Sequence, residues 1–161
     1  MIQPQELLIK SALDNWYSHI SSVDKLLNTL TDEQLQKEVS PNKNRGIYIL
    51  GHLVAVHDRL LPLLNLGNRL HPELDDTFIT NPDNSATEMP SATNLKLYWK
   101  EVNDTLAKHF NNIKPDEWFQ KHNSVSEEDF AKEPHRNRLT VLISRTTHLS
   151  YHYGQLILLK N

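Results

Sequence analysis

The chain has 161 residues, of which 23% are charged, and its formal net charge is −3. This near balance argues against nucleic-acid binding, which normally requires a basic face, and there is no polybasic cluster to hold the chain on an anionic membrane. Cysteine is absent, so disulfides cannot form and any metal site must use nitrogen and oxygen ligands. No apolar stretch approaches the roughly 20 residues that span a bilayer, and the N-terminus lacks a signal-peptide pattern. We therefore expect one cytoplasmic domain over residues 1–161.

Four segments have the apolar spacing of long helices. In the first, apolar residues recur at alternating steps of four and three, the spacing of helices in a left-handed bundle: Ile9, Leu13, Trp16, Ile20, Val23, Leu27 and Leu30. The second predicted helix covers about residues 45–66, with a kink or early end at Pro62. The third has an apolar face from Leu95 to Ile113 and ends before Pro115. The last runs from about Leu139 almost to the C-terminus. The predicted fold class is an all-α four-helix bundle with long interhelical connections.

Two long connections join these helices. Residues 71–94 are rich in Pro, Asp, Asn, Ser and Thr without any period, which predicts a long loop. Residues 114–138 contain Trp118, Phe119 and Phe130, so this connection is expected to pack on the bundle and to include short helices. Loops of this length are often functional.

Nine histidines are the main chemical feature of the sequence. His148 and His152 lie four residues apart on the last predicted helix, so their side chains share one face and could chelate a metal ion. They border the apolar face and are directed toward the bundle interior or its rim. The alternative is that one is a hydrogen-bonded core residue and the other is exposed. No HExxH pattern is present, which excludes a zinc-protease helix.

His52 is the best third ligand because it lies in the middle of the apolar stripe of the second predicted helix. His57 points about 140° away from it at about 100° per residue, so we expect His57 at the surface or an edge. Asp58 also points away from His52 and is not assigned a role. The other histidines are expected to be solvated or to cap helices: His19, His71, His109, His122 and His135.

Two segments resemble the signatures of the DinB-like superfamily. Residues 44–53, NRGIYILGHL, are similar to its second-helix pattern, in which a histidine follows a small residue. Residues 145–155, RTTHLSYHYGQ, are similar to its last-helix pattern of a histidine pair followed by Gly-Gln. The resemblance covers nearly the whole chain.

The resemblance implies a four-helix bundle that holds a divalent metal on His52, His148 and His152. It also implies a homodimer and a small-molecule substrate. Members of the superfamily include metal-dependent S-transferases that use low-molecular-weight thiols, and hydrolases.

Three histidines with an open position are the pattern of a catalytic metal site, at which a water or a thiol becomes a nucleophile near neutral pH. Zinc or nickel suits imidazole ligands. Gln155 is the first candidate to orient a ligand imidazole, with the end of the bundle as its alternative role. Tyr48, Arg59 and Arg145 are candidates to contact an anionic substrate, or else ordinary packing and salt-bridge residues.

Two readings of function therefore stay open. The first is a divalent-metal-dependent transferase or hydrolase. The alternative is a non-catalytic metal-binding or partner-binding helical bundle with a vestigial site, which would require weak metal binding or a sizeable exposed apolar patch.

Overall fold

The computed structural model describes residues 3–85 and 88–160, and these residues form an all-α fold. Its α-helices are α1 (Pro4–Thr29), α2 (Asp32–Leu35), α3 (Gly46–Asp58), α4 (Leu60–Leu63), α5 (Ala92–Phe110), α6 (Glu127–Lys132) and α7 (Arg138–Leu156). A π-helical turn covers Asp76–Thr80, and 3₁₀ turns cover Pro115–Phe119 and Ile157–Lys160. The described residues form two isolated β-bridges and no β-strand. The predicted all-α fold class is confirmed.

The four long helices α1, α3, α5 and α7 pack through their apolar faces around one core. Helix α1 packs against α7, and α3 packs against both α5 and α7. The predicted seam of α1 supplies Ile9, Trp16, Val23 and Leu27 to the core, all buried. None of the helices in the described part of the chain is long and apolar enough to cross a membrane.

The second predicted helix ends early, as Pro62 indicated. Helix α3 ends at Asp58, and after Arg59 a single further turn forms α4. Pro62 has no N–H with which to reach the carbonyl of Asp58 four residues earlier, so the regular helix is interrupted there. Helix α3 therefore presents an uninterrupted apolar segment with His52 at its centre.

Side-chain caps fix where α5 and α7 begin. The Ser91 hydroxyl accepts from the backbone N–H of Asn94 at 3.1 Å, and the Asn137 side chain accepts from that of Thr140 at 2.9 Å. Such caps satisfy N–H groups that have no partner within the first turn. The bounds of both helices agree with the predicted segments within a few residues.

Residues 71–91 form a long connection before α5, as the sequence predicted, but the connection is not irregular throughout. It contains the π-helical turn Asp76–Thr80, and Leu74 and Phe78 from this connection are buried in the core. The sequence did not predict the burial of Leu74 and Phe78, because polar residues surround them and two residues are too few to establish a helical period. Residues 114–138 do pack on the bundle with short helical turns, and Trp118 is buried.

Candidate metal centre

Three histidines from two helices converge on one point inside the protein. The Nε2 atom of His148 lies 3.2 Å from the Nε2 of His52 and 3.2 Å from the Nε2 of His152. One ligand atom from each residue falls within 4.8 Å of both others. Helix α3 contributes the first histidine and α7 the pair, whose four-residue spacing stacks the two rings on one face.

The separations suit a single divalent ion. Two imidazole nitrogens bound to one zinc ion at roughly 2.0–2.1 Å lie about 3.3 Å apart when the angle between the bonds is tetrahedral. The observed 3.2 Å separations are close to this value. Three imidazoles also leave a fourth tetrahedral position open, as in catalytic zinc sites. The cluster can therefore hold a metal ion.

A backbone carbonyl orients the ring of His52. Its Nδ1 lies 2.8 Å from the carbonyl oxygen of Phe78 in the π-helical turn, so this nitrogen carries the proton and donates it. The Nε2 of His52 is then left with a free lone pair. The turn can approach α3 because Gly51 has no side chain: a Cβ there would lie 2.3 Å from the Phe78 ring. Gly51 and Phe78 together place the carbonyl over His52.

A side chain on the same helix orients His152. The Nδ1 of His152 donates to the Oε1 of Gln155 at 2.7 Å, and the Nε2 of Gln155 lies 3.4 Å from the Tyr151 hydroxyl. The lone pair of His152 Nε2 is thereby directed into the cluster. Metal-binding histidines commonly donate their other ring nitrogen in this way, which fixes the tautomer and the ring orientation.

The three imidazoles are neutral at physiological pH. Burial, together with the neighbouring His152 and His52, lowers the pKa of His148 to about 4. Burial also lowers the pKa of His52 and of His152, although the hydrogen bonds to Phe78 and Gln155 oppose the shift. Neutral imidazole is the form that binds metal ions, so protons do not compete for the cluster near pH 7.

A small cavity opens beside the cluster. It has a volume of about 150 Å³ and is lined by Asn44, Tyr48, Ile49, His52, Ile79 and His152. The hydroxyl of Tyr48 donates to the carbonyl oxygen of Asn81 at 2.7 Å, which fixes that side chain at the wall. The space is that of about five water molecules at roughly 30 Å³ each. A few non-hydrogen atoms of a ligand fit there.

The two arginines proposed from the sequence have different surroundings. Arg59 donates to Asp75 through Nε at 3.1 Å and Nη2 at 2.6 Å, so its charge is already paired. Arg145 is half-buried on α7, one turn before His148, and its Nε has no hydrogen-bond partner in the protein. Burial lowers the pKa of Arg145, with a further contribution from Arg59. Neither arginine lines the small cavity.

Charged side chains fasten the connection that carries the π-helical turn. Before the turn, the buried carboxylate of Asp58 accepts from Arg69 at 2.8 Å and from the backbone N–H groups of Leu70 and His71. Arg69 also donates to Asp75, and this bond, together with the bond from Arg59, lowers the pKa of Asp75 to about 2. After the turn, Asp83 accepts from Arg45 at 2.7 Å. The Phe78 carbonyl is thus held from both sides.

The expectation that His57 lies at the surface or an edge was wrong. It is fully buried, with its ring 4.8 Å from Trp16 and 5.0 Å from Trp99. Helical-wheel reasoning about α3 alone missed this, because α3 is covered on several sides and its opposite face is buried too. Asp58, which was left without a role, is buried and acts in the fold, outside the histidine cluster.

The remaining histidines lie outside the cluster. His71 is not solvated, since it bonds to Glu101 at 2.8 Å and to Glu73 at 3.2 Å and stacks on Tyr98. His19 donates to the carbonyl oxygen of Asn15 on its own helix. Within the described residues, His52, His148 and His152 form the one group of histidine or acidic side chains with metal-binding spacing.

Fold and site together define a class: an all-α protein in which two long helices bring three neutral histidines to one point beside a small cavity. Residues 16–156 match the model of the DinB superfamily, and the chain belongs to that superfamily. The match includes both helices that carry the histidines. Among curated proteins, none matches the sequence.

Proposed function

We propose that this protein binds one divalent metal ion through the Nε2 atoms of His52, His148 and His152 and acts as a metal-dependent enzyme on a small molecule. One observation carries the proposal. The Nδ1 protons of His52 and His152 are committed to Phe78 and Gln155, so both Nε2 lone pairs are directed at His148 within the same small space. Histidines that bind a metal ion are commonly oriented in this way, with the other ring nitrogen donating its proton to a fixed acceptor.

A divalent ion held by three imidazoles supplies Lewis acidity that makes a water or a thiol acidic near neutral pH. The protein's own residues bind and shield the substrate. Asn44 and the fixed Tyr48 offer polar contacts, while Ile49 and Ile79 exclude bulk water from the same cavity. Because the ligands are three imidazoles, zinc or nickel is the proposed metal.

Transfer of a low-molecular-weight thiol fits the site better than hydrolysis. No carboxylate lines the cavity among the described residues, so no general base is at hand. A free thiol has a pKa near 8.5 and free water one of about 15.7, so a thiol needs a smaller pKa shift from the metal ion to lose its proton. The small volume also suits a sulfhydryl group with one or two carbons. Hydrolysis of a small molecule is the second reaction that the same site supports.

We further propose that the protein is a cytoplasmic homodimer. Exposed apolar side chains occur on α1, on α7 and on the 3₁₀ turn that follows α7, and α1 packs against α7. These side chains are Leu7, Leu8, Ile143, Tyr151 and Leu158. Sedimentation velocity tests the dimer: a monomer at micromolar concentration would contradict it.

The rival function is a non-catalytic metal-binding or partner-binding bundle with a vestigial site. It predicts a metal ion without an accessible coordination position, or a site that stays empty. The cavity beside His52 and His152 favours the enzyme, because a site that only stabilises the fold needs no adjoining space for a ligand.

The metal content of protein purified without a histidine tag or chelator tests the proposal. We expect close to one zinc or nickel ion per chain, and loss of that ion in a folded His148→Ala, His152→Ala double variant. A His19→Ala, His135→Ala variant is the matched control and should keep the metal. A protein that stays empty after metal is added back would contradict the proposal.

A further inference from the structure

The three histidines of the cluster are not equally supported. His52 donates its Nδ1 proton to Phe78, and His152 donates its own to Gln155. The Nδ1 of His148 is buried and has no hydrogen-bond partner in the protein. If the Nε2 of His148 binds a metal ion, its Nδ1 must carry a proton, and a buried donor without an acceptor is costly.

His57 offers a buried acceptor that nothing in the protein uses. Its Nδ1 lies 2.8 Å from the Oδ1 of Asn103, whose amide is oriented by a 2.8 Å bond from its Nδ2 to the carbonyl oxygen of Trp99. Because Oδ1 can only accept, the proton of His57 is on Nδ1 and its Nε2 is a bare lone pair. This Nε2 is buried and unpartnered. Burial lowers the pKa of His57 to about 3, which keeps the ring neutral.

Arg145 adds a third polar atom that is buried and has no hydrogen-bond partner. Its Nε–H is a buried donor without a partner, and the residue lies one turn before His148 on α7. Helix α3 packs against α7, and the two helices run in opposite directions at the cluster, because His52 meets His148 while Tyr48 lines a cavity with His152. His57 follows His52 on α3 and Arg145 precedes His148 on α7, so both residues lie on the same side of the cluster. Two unpartnered donors from α7 and one unpartnered acceptor from α3 therefore lie in the same part of the core.

We propose that one buried water molecule joins these atoms, accepting from His148 Nδ1–H and Arg145 Nε–H and donating to His57 Nε2, so that His57 is a positioning residue for the metal ligand His148. The inference rests on the proposed metal site. The three atoms require two acceptors and one donor, which a single water supplies, and buried waters typically make about three hydrogen bonds. The chain of bonds then runs from the carbonyl of Trp99 through Asn103, His57 and the water to His148.

This chain gives the buried histidine a role that packing alone does not. His57 lies between Trp16 and Trp99, where an apolar side chain of similar shape would avoid burying polar nitrogens. As part of the chain, it fixes the ring of His148 and raises the basicity of its Nε2, as Phe78 and Gln155 do for the other two histidines.

Metal affinity in His57 variants tests the role. Zinc dissociation constants would be measured by chelator competition for wild type, His57→Phe and His57→Gln. We expect His57→Phe to lose roughly 10- to 100-fold in affinity, the usual effect of removing such a partner. In His57→Gln the amide oxygen can replace Nε2 as the acceptor, so most of the affinity should return.

A core variant separates positioning from simple destabilisation. Leu106→Ala also removes a fully buried side chain facing the core, on α5, and is expected to destabilise the fold while keeping the wild-type zinc affinity. Folded His57→Phe that binds zinc as tightly as wild type would overturn the inference and leave the metal site intact. Wild-type protein that binds no metal would instead overturn the proposed function, and this inference with it.

A second measurement needs no variant and applies even if His57→Phe does not fold. Long-range ¹⁵N–¹H correlation spectra of the zinc-loaded wild-type protein report the tautomer of each histidine. We expect a protected Nδ1 proton on His148 and the Nδ1–H tautomer with a hydrogen-bonded Nε2 on His57. A His57 that carries its proton on Nε2, or a His148 Nδ1 proton that exchanges freely with solvent, would overturn the inference.

Discussion

His152 and His52 belong to the same cluster but are held in opposite ways. The partner of His152 is Gln155, three residues away on the same helix. The partner of His52 is the carbonyl of Phe78, 26 residues along the chain in a π-helical turn. Local support forms whenever α7 forms, whereas distant support exists only when the connection between α3 and α5 is docked.

The loss of the two supports should therefore have different effects on stability and on metal affinity. Damage to the connection should release His52 and lower both stability and metal affinity. Damage to Gln155 should weaken the metal site and leave the fold almost unchanged. Variants placed along these two supports can separate the effects.

The largest loss of stability is expected at Asp58, the buried residue that anchors the connection between α3 and the π-helical turn. Asp58→Ala removes the carboxylate that accepts from Arg69 and from two backbone N–H groups. Breaking a buried pair typically costs about 3–5 kcal/mol, because the remaining groups lose their partner. Urea unfolding would measure the loss, with Asp14→Ala as control, since its exposed ion pair with Lys10 is worth at most about 1 kcal/mol. Equal losses in both variants would contradict this role of Asp58.

Gly51→Ala should disrupt the contact between α3 and the π-helical turn. The new methyl group would lie 2.3 Å from the Phe78 ring. Overpacking of this kind costs about 1–3 kcal/mol, and displacement of the Phe78 carbonyl should lower zinc affinity roughly 10- to 100-fold. Thermal unfolding and chelator competition measure the two effects.

Two other glycines give matched controls for Gly51. A Cβ on Gly154 of α7 meets no atom within 4 Å, so Gly154→Ala should be neutral or slightly stabilising. A Cβ on Gly46 would lie 2.4 Å from Leu159, and its nearest neighbours, Leu159 and Leu35, are not residues of the cluster. Gly46→Ala should therefore lose stability but keep zinc affinity. If Gly46→Ala and Gly51→Ala lose affinity equally, the specific role of Gly51 is wrong.

The pH dependence of metal-free protein tests how deeply the histidines are buried. The folded-state pKa values of His57, about 3, and of His148, about 4, lie below the ordinary value of 6.5. The unfolded chain therefore binds more protons below pH 6.5, and stability that is fully present above 6.5 is lost as the pH falls toward 4. His57 should contribute up to about 1.4 kcal/mol per pH unit, and the more exposed His148 less.

Urea unfolding in the presence of a chelator from pH 7.5 to 5 measures this slope. His57→Phe should show a shallower slope than wild type, because one histidine that protonates only on unfolding is gone. A slope equal to that of wild type would mean that His57 takes up its proton in the folded state.

The smallest effect is expected on the local support. Gln155→Ala removes the acceptor for His152 Nδ1, and we expect zinc affinity to fall about tenfold while stability changes by less than about 0.5 kcal/mol. Gln155→Glu restores an acceptor at the same place and should recover the affinity. A Gln155→Ala variant that unfolds more readily but binds zinc normally would reverse the contrast between the two supports.

The sequence predicted those features that depend on neighbours along one helix. The seam of α1, the histidine pair of α7 and the interruption before Pro62 follow from residue spacing and the chemistry of proline. The burial of His57 depends on Trp16 and Trp99 from two other helices, and the partner of His52 is a backbone atom in a segment of polar composition. Such contacts between distant residues leave no period in the sequence. Gly51 beside His52 was the available indication that another chain segment approaches closely.

X-ray absorption at the zinc edge of the zinc-loaded protein tests the central claim most directly. We predict three imidazole nitrogens and one further light atom at about 2.0–2.1 Å. The His148→Ala, His152→Ala variant, treated identically, should show loss of the imidazole contribution. A spectrum from the wild-type protein without three imidazole ligands would contradict the assignment of His52, His148 and His152 as the metal site.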